Sequence, residues 1–326
     1  MVLLARPRFR SKARVISLIC LWALMAMLVA ACGGGPKHKE PPRHAEADRL
    51  AGKGSQWFRK GCFERAERYF YKALEASLLV DDLKGMVRAR NNLGAVALAQ
   101  GHYLEAGDHL QKALELNSVL KSTGEQSLAL GNLGSLAFRA ERYREAEQFW
   151  EKALVAARED EDKTGLAMHL NNLGMLNLRE GRLAEAEQLL RQAMTKAEQE
   201  GSASTLANSH SQLGLVAQSR NHFAEAEEHL SLALAIDKAA ENTVGIAKDL
   251  ELLGLLHQQQ KLWNQAASEL DRAIHLYATL GKMEKVEQLY GFLERNQVDG
   301  GVPESMEPYE PLLVPPDEFW KSPLCR

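Results

Sequence analysis

Asn92, Asn132, Asn172 and Gln212 stand 40 residues apart along this 326-residue chain. Amides are middling or poor helix formers, so their return at one position calls for a cause other than propensity. Each offers a donor and an acceptor, which suits pairing with the backbone of an extended peptide without reading its side chains. The same groups can instead solvate a helix face or tie neighbouring helices together, and the sequence leaves both open. Catalytic constellations are not written in it: there is no nucleophile elbow, phosphate loop, zinc-binding HExxH or dinucleotide glycine motif. Gly33-Gly34-Gly35-Pro36-Lys37 lacks the spacing and helix context of a phosphate loop. His102/His109 and His222/His229 share repeat positions seven apart, but no carboxylate-rich cluster accompanies them. They read as surface or structural side chains, and we expect no metal, no cofactor and no enzymatic activity.

The amides must be held by helices, and the sequence shows how. Glycines stand at Gly54, Gly94, Gly134, Gly174, Gly214 and Gly254, a constant step of 40, each followed by an alanine pair such as Ala186/Ala193. Self-similarity at this period signals a solenoid in which each repeat packs only on its neighbours. In the copy around Gly174, Leu166, Leu170, Leu173 and Leu176 mark a first helix and Ala186, Leu189, Leu190, Ala193 and Met194 a second. The small residues let two backbones pass closely. Turns at Gly61, Gly101, Gly181 and Asn221 hold residues able to take the left-handed conformation, while Glu141 and Lys261 depart from that pattern. All ten prolines lie outside residues 43–302, which suits unbroken helices. The expected fold is all-α: six tandem helix-turn-helix repeats over residues 45–296, ending in a capping helix at 282–296 whose Val286, Leu289, Tyr290 and Leu293 cover repeat six.

The ends differ from this body. Five basic residues from Arg6 to Arg14 precede an apolar run from Val15 to Ala31, an export signal too short for a comfortable membrane span. Val29-Ala30-Ala31-Cys32, followed by three glycines, resembles the bacterial lipobox, which implies cleavage after residue 31 and a lipid on Cys32. Residues 32–44 then form a tether and 297–326 a proline-rich tail carrying Tyr309, Leu312, Leu313, Phe319 and Trp320. Cys62 and Cys325 remain, and a disulfide between them is one of two readings. Without the signal, 35 basic residues face 43 acidic ones, a net charge of −8 that disfavours nucleic acid and anionic lipid surfaces as partners.

Leu-Gly, then an aromatic three residues before Ala, then Ala-x-x-x-Leu/Trp-x-x-Ala-Leu resembles the tetratricopeptide repeat, in the 40-residue form found in kinesin light chain. The likeness implies a right-handed α-solenoid whose first helices line a concave groove. The usual closing proline is missing: Leu78, Ser118, Arg158, Glu198, Lys238 and Ala278 stand in its place, so the second helices should run about a turn longer. Carried over by position, the likeness assigns a peptide groove to Arg88, Asn91, Asn92, Asn132, Ser135, Met168, Asn171, Asn172, Met175, Asn208, Gln212 and Lys248. Leu173 and Gly174 belong to the fold, whereas Asn171 and Asn172 are expected to face elsewhere. A protein or peptide is thus the expected partner, bound by a scaffold on the periplasmic face of a bacterial outer membrane. Assembly of a pilus secretin or outer-membrane complex is the first expected setting, and regulation of a peptidoglycan hydrolase or synthase the second.

Overall fold

Each repeat glycine sits where a side chain of the following helix crosses it. A Cβ built on Gly54, Gly94, Gly134, Gly174, Gly214 or Gly254 would fall 2.5–2.8 Å from Phe70, Leu110, Trp150, Leu190, Leu230 or Leu270. All six partners are at most 2% exposed, so each repeat is a pair of helices locked at one glycine–apolar contact. The computed structural model describes residues 42–300, and among these every element is an α-helix. In chain order they are α1 (Pro42–Arg59), α2 (Phe63–Leu78), α3 (Leu83–Gln100), α4 (Tyr103–Leu120), α5 (Thr123–Arg139), α6 (Tyr143–Glu159) and α7 (Lys163–Arg179). There follow α8 (Leu183–Glu200), α9 (Ala203–Ser219), α10 (Phe223–Ala239), α11 (Thr243–Gln259), α12 (Trp263–Thr279) and α13 (Met283–Gly300). Successive helices pack in order, and from α3 to α11 each first helix also touches the first helix of the next repeat. The result is an all-α, tetratricopeptide-like solenoid. A boundary at residue 42/43 divides the chain into two units, the second of which holds the repeats.

The turns close in one way. At the end of α1, for instance, Cys62 N–H donates to the Trp57 carbonyl at 2.9 Å, and the same bond recurs as His102 to Ala97, Arg142 to Ala137 and Arg182 to Asn177. The residue before each donor is left-handed. This is where Glu141 and Lys261 differ from the expectation: at φ 58° and 63° they adopt the same turn as the glycines, because packing of the flanking helices fixes the loop whatever residue fills it. Asp81, Lys121, Glu161 and Glu241 do likewise between repeats. The second helices run through the positions where proline was missing, Leu78 being the last residue of α2. Asp82, Asp162 and Asn242 cap α3, α7 and α11 by accepting from the backbone N–H of Gly85, Gly165 and Gly245.

Helix α13 covers the last repeat with Val286, Leu289 and Leu293, each at most 2% exposed, but Tyr290 stays 41% exposed and takes no share in the core. The chain also bends back on itself. Lys282 Nζ, between α12 and α13, donates to the Ala99 carbonyl at the end of α3 at 2.5 Å and lies 5.3 Å from the centre of the Phe63 ring. Leu280 fills the space beside Gly61, where a Cβ would come 2.1 Å from its Cδ2. Sequence separations of roughly 180 residues are thereby bridged by one lysine. Cys62, 1% exposed beside this contact, is disulfide-bonded, its partner falling outside the described residues. Cys32, Cys325 and residues 301–326 of the expected tail also lie outside them, whereas α13 runs on through residues 297–300.

Candidate functional site

The residues singled out on the first helices separate into two columns one residue apart. The inner column is Asn91, Gly131, Asn171, Ser211 and Glu251, and it reaches the next repeat. Asn91 Nδ2 donates to the Glu125 carbonyl at 3.3 Å, Asn171 Oδ1 accepts from Ser209 Oγ at 3.2 Å, and Ser211 Oγ donates to Asp249 Oδ1 at 2.6 Å. Glu251 accepts from Tyr277 Oη at 2.6 Å and from Lys285 Nζ at 2.7 Å, binding α13 to repeat six. Gly131 leaves room for His169, whose ring a Cβ there would meet at 2.5 Å. Asn91 and Asn171 are therefore buried rungs between helices, and the expectation that Asn171 faces away from the fold gives way to that packing. Periodicity could not reveal this, since a rung and an open amide repeat alike.

The second column is Asn92, Asn132, Asn172, Gln212 and Leu252. The three asparagines remain half-buried, with no hydrogen bond to their amides among the described residues, while Gln212 is 5% exposed. Ser135, Met168 and Met175 lie half-buried beside them, with Leu215 and Leu255, and Asn208 is exposed. Ser135 Oγ donates to the Gly131 carbonyl at 3.1 Å. Arg88 is exposed but already engaged, with Nε 2.8 Å from Glu125 Oε1 and NH1 3.5 Å from Asp48. The face that remains free is a row of amides with thioether and leucine side chains around it. It can bond a peptide backbone and cover apolar side chains, chemistry that holds a chain without transforming it.

Charge gathers at one end of this face. Burial pushes the Lys248 ammonium below its ordinary range, opposed by Asp249, Asp237 and Glu251 and reinforced by Arg139. Burial raises Asp249 to about 7, despite the bond from Ser211, and Asp237 is raised in the same way while Asn242 bonds to it at 2.9 Å. Arg139 also acts on Lys282. Residues of repeats three and six thus sense each other across the bend, which no reading of adjacent repeats could anticipate. Arg179 Nε donates to Tyr143 Oη at 3.3 Å.

Some histidines pack between helices, while His102, His222 and His275 stay exposed. His169 is fully buried with Nε2 2.8 Å from Ser127 Oγ, which itself donates to the Ala153 carbonyl, and burial lowers the ring to about 4. Its Nδ1 has no partner, so a second proton there would be buried and unmatched. His109 meets Tyr71 and Arg90 instead of His102, and His229 faces His210 at 3.0 Å instead of His222. Among the described residues no three His, Cys, Asp or Glu side chains are grouped to hold a metal, and no helix is long and apolar enough to cross a membrane.

Residues 51–118 and 125–199 match the family model of the tetratricopeptide repeat. No curated protein matches the chain. Among solved structures, the Rap protein complexed with Competence and Sporulation Factor is similar at 16% identity and a TM-score of 0.57, over 78% of this chain and 75% of that one. The APC/C hetero-tetramer Cut9–Hcn1 is similar at 14% identity and 0.56, over 79% of this chain and 44% of that one. Aspartyl phosphate phosphatase F from Bacillus subtilis follows at 13% and 0.52, over 81% and 73%. At such identities these likenesses speak for the fold.

Proposed function

We propose that this chain, a tetratricopeptide-repeat protein by its matched segments and its solenoid, is a lipid-anchored envelope scaffold that binds an extended segment of a partner protein along its first helices. A protein–protein interaction role follows from the repeats themselves. The observation that carries the finer reading is the half-open row of Asn92, Asn132 and Asn172, amides that the fold leaves without partners, while Asn91 and Asn171, one residue away, are buried and each bond to the next repeat. Met168, Met175, Leu215 and Leu255 flank the row and would receive the apolar side chains of the bound segment. Arg88 is occupied by Glu125 and Asp48, so the peptide backbone, more than its charge, would be read. The protein performs no catalysis in this account. Its anchor is the lipid on Cys32 and its site the periplasmic face of the outer membrane.

Affinity capture from membranes tests this with the full chain and with the pair Asn132→Ala and Asn172→Ala. Secretin or outer-membrane assembly subunits should be retained by the wild type and lost by the pair, with thermal stability nearly unchanged. Retention of a peptidoglycan hydrolase or synthase instead would favour a regulatory adaptor. Capture indifferent to the two asparagines, or a hydrolase activity of the purified protein, would overturn the reading. Labelled palmitate that fails to depend on Cys32 would remove the anchor alone.

A further inference from the structure

The chain carries an excess of acidic residues, yet residues 53–72 hold six basic side chains, Lys53, Arg59, Lys60, Arg65, Arg68 and Lys72, against two acidic ones, Glu64 and Glu67. The helix pair α1–α2 brings these cations onto two aromatic rings. Lys60 Nζ lies 5.9 Å and the Arg65 guanidinium 4.5 Å from the centre of Trp57. Lys53 and Lys72 each place Nζ 5.8 Å from the centre of Tyr69. Arg65, Arg68, Tyr69 and Lys72 line a cleft of about 260 Å³ on the outer side of α2. No ion pair among the described residues engages Lys53, Arg59, Lys60 or Lys72, although Glu46 lies near enough to be influenced by Lys53 and Glu241 lines a cleft with Trp57, Arg59 and Lys60. Cations elsewhere, such as Lys112, Arg191 and Lys285, do reach one. Glu64 and Glu67 share the face, but Glu64 offers Arg68 only its backbone carbonyl, and burial beside Glu105 raises the Glu67 carboxyl.

We propose that this outer face of the first repeat docks on an anionic phospholipid surface. Exposed cations that form no ion pair gain from a negative headgroup layer. Half-buried Trp57 and Tyr69 belong to the residue types that favour a boundary wet on one side and apolar on the other. Placement agrees: Cys32 stands ten residues before Pro42, and ten extended residues span at most about 35 Å. A lipid at Cys32 would therefore keep the first repeat nearest the bilayer, and for that source of lipid the inference rests on the anchored reading above. The remaining repeats, more acidic, would be turned away from the surface, leaving the amide row accessible to a partner.

The test uses residues 43–326, which hold all the repeats and lack the lipid site, with circular dichroism confirming their helices first, so that adhesion owes nothing to an anchor. Phosphatidylglycerol–phosphatidylcholine vesicles should bind it and pure phosphatidylcholine vesicles should not, with binding weakened by added salt. Each of Lys60→Gln and Lys72→Gln should lower the partition coefficient about fivefold, and the pair about 25-fold. Lys112→Gln with Lys196→Gln, on other repeats, should change it little, and circular dichroism would show all variants folded. Equal binding to both vesicle types, or equal losses from both pairs of substitutions, overturns the proposal. Tighter binding to a single-stranded oligonucleotide than to anionic vesicles would do the same, assigning the face to nucleic acid. None of these outcomes bears on partner capture through Asn132 and Asn172, or on palmitate at Cys32, so the two readings fail separately.

Discussion

Gly174→Ala tests the contact on which every repeat turns. An added Cβ would lie 2.7 Å from Leu190 Cγ, 2.8 Å from Cδ2 and 3.4 Å from the Ala186 carbonyl oxygen. Carbon atoms prefer about 3.5–4.0 Å, and Leu190, fully buried, has no room to swing aside. Overpacking of this kind costs roughly 1–3 kcal/mol, while alanine's better helix propensity returns about 1 kcal/mol. The net expectation is a loss of up to about 2 kcal/mol. Leu190→Ala alone should cost about 2–5 kcal/mol through the cavity it leaves. In the double variant the colliding atoms are gone, so Gly174→Ala should become neutral or stabilising, a coupling of roughly 1–3 kcal/mol. Urea unfolding of the four proteins, with a constant m-value, measures the cycle. Gly52→Ala is the control: it lies within α1 with nothing within 4 Å of its added Cβ, and should stabilise by roughly 0.5–1 kcal/mol. Additivity of the two substitutions within about 0.5 kcal/mol would refute the contact as the reason for the glycine.

His169, held near 4 in the folded state against an ordinary 6.5, binds its proton more readily when unfolded, so stability should fall as pH drops below 6.5 and level off near 4. By pH 5 the loss from this ring is about 2 kcal/mol, and His169→Gln should flatten urea midpoints over that window; His109, His210 and His229, shifted the same way by burial, leave a residual slope. Glu141→Gly and Lys261→Gly replace left-handed side-chain residues and should each raise stability by about 1 kcal/mol, whereas a loss would mean that their side chains contribute more than the turn costs. Lys282→Met removes the bond to Ala99 and the contact with Phe63 together, so unfolding should become easier by roughly 1–3 kcal/mol. Small-angle scattering should then show a larger radius of gyration, and an unchanged one would deny Lys282 its role in holding the first and last repeats together.

The 40-residue step of glycine and alanine determined, before any coordinates, that helices would come in pairs and that pairs would stack. It could do so because the glycine contact with Leu190 or Trp150 and the rungs between first helices all join residues within about one repeat. Val286, Leu289 and Leu293 were legible as a cap for the same reason. The sequence also isolated Asn92, Asn132 and Asn172, but it could not separate them from Asn91 and Asn171. A rotation of about 100° per residue decides which amide turns inward, and only the packed neighbour at Ser209 or Glu125 shows where inward is. The left-handed Glu141 and Lys261 were hidden because their conformation is imposed by the two helices they join, not by their own preference. Lys282 reaching Ala99 and Arg139 acting on Lys248 belong to the tertiary structure alone. They depend on the path of the chain in space: small rotations between repeats add up to a bend that brings distant residues together, and no single repeat records that sum.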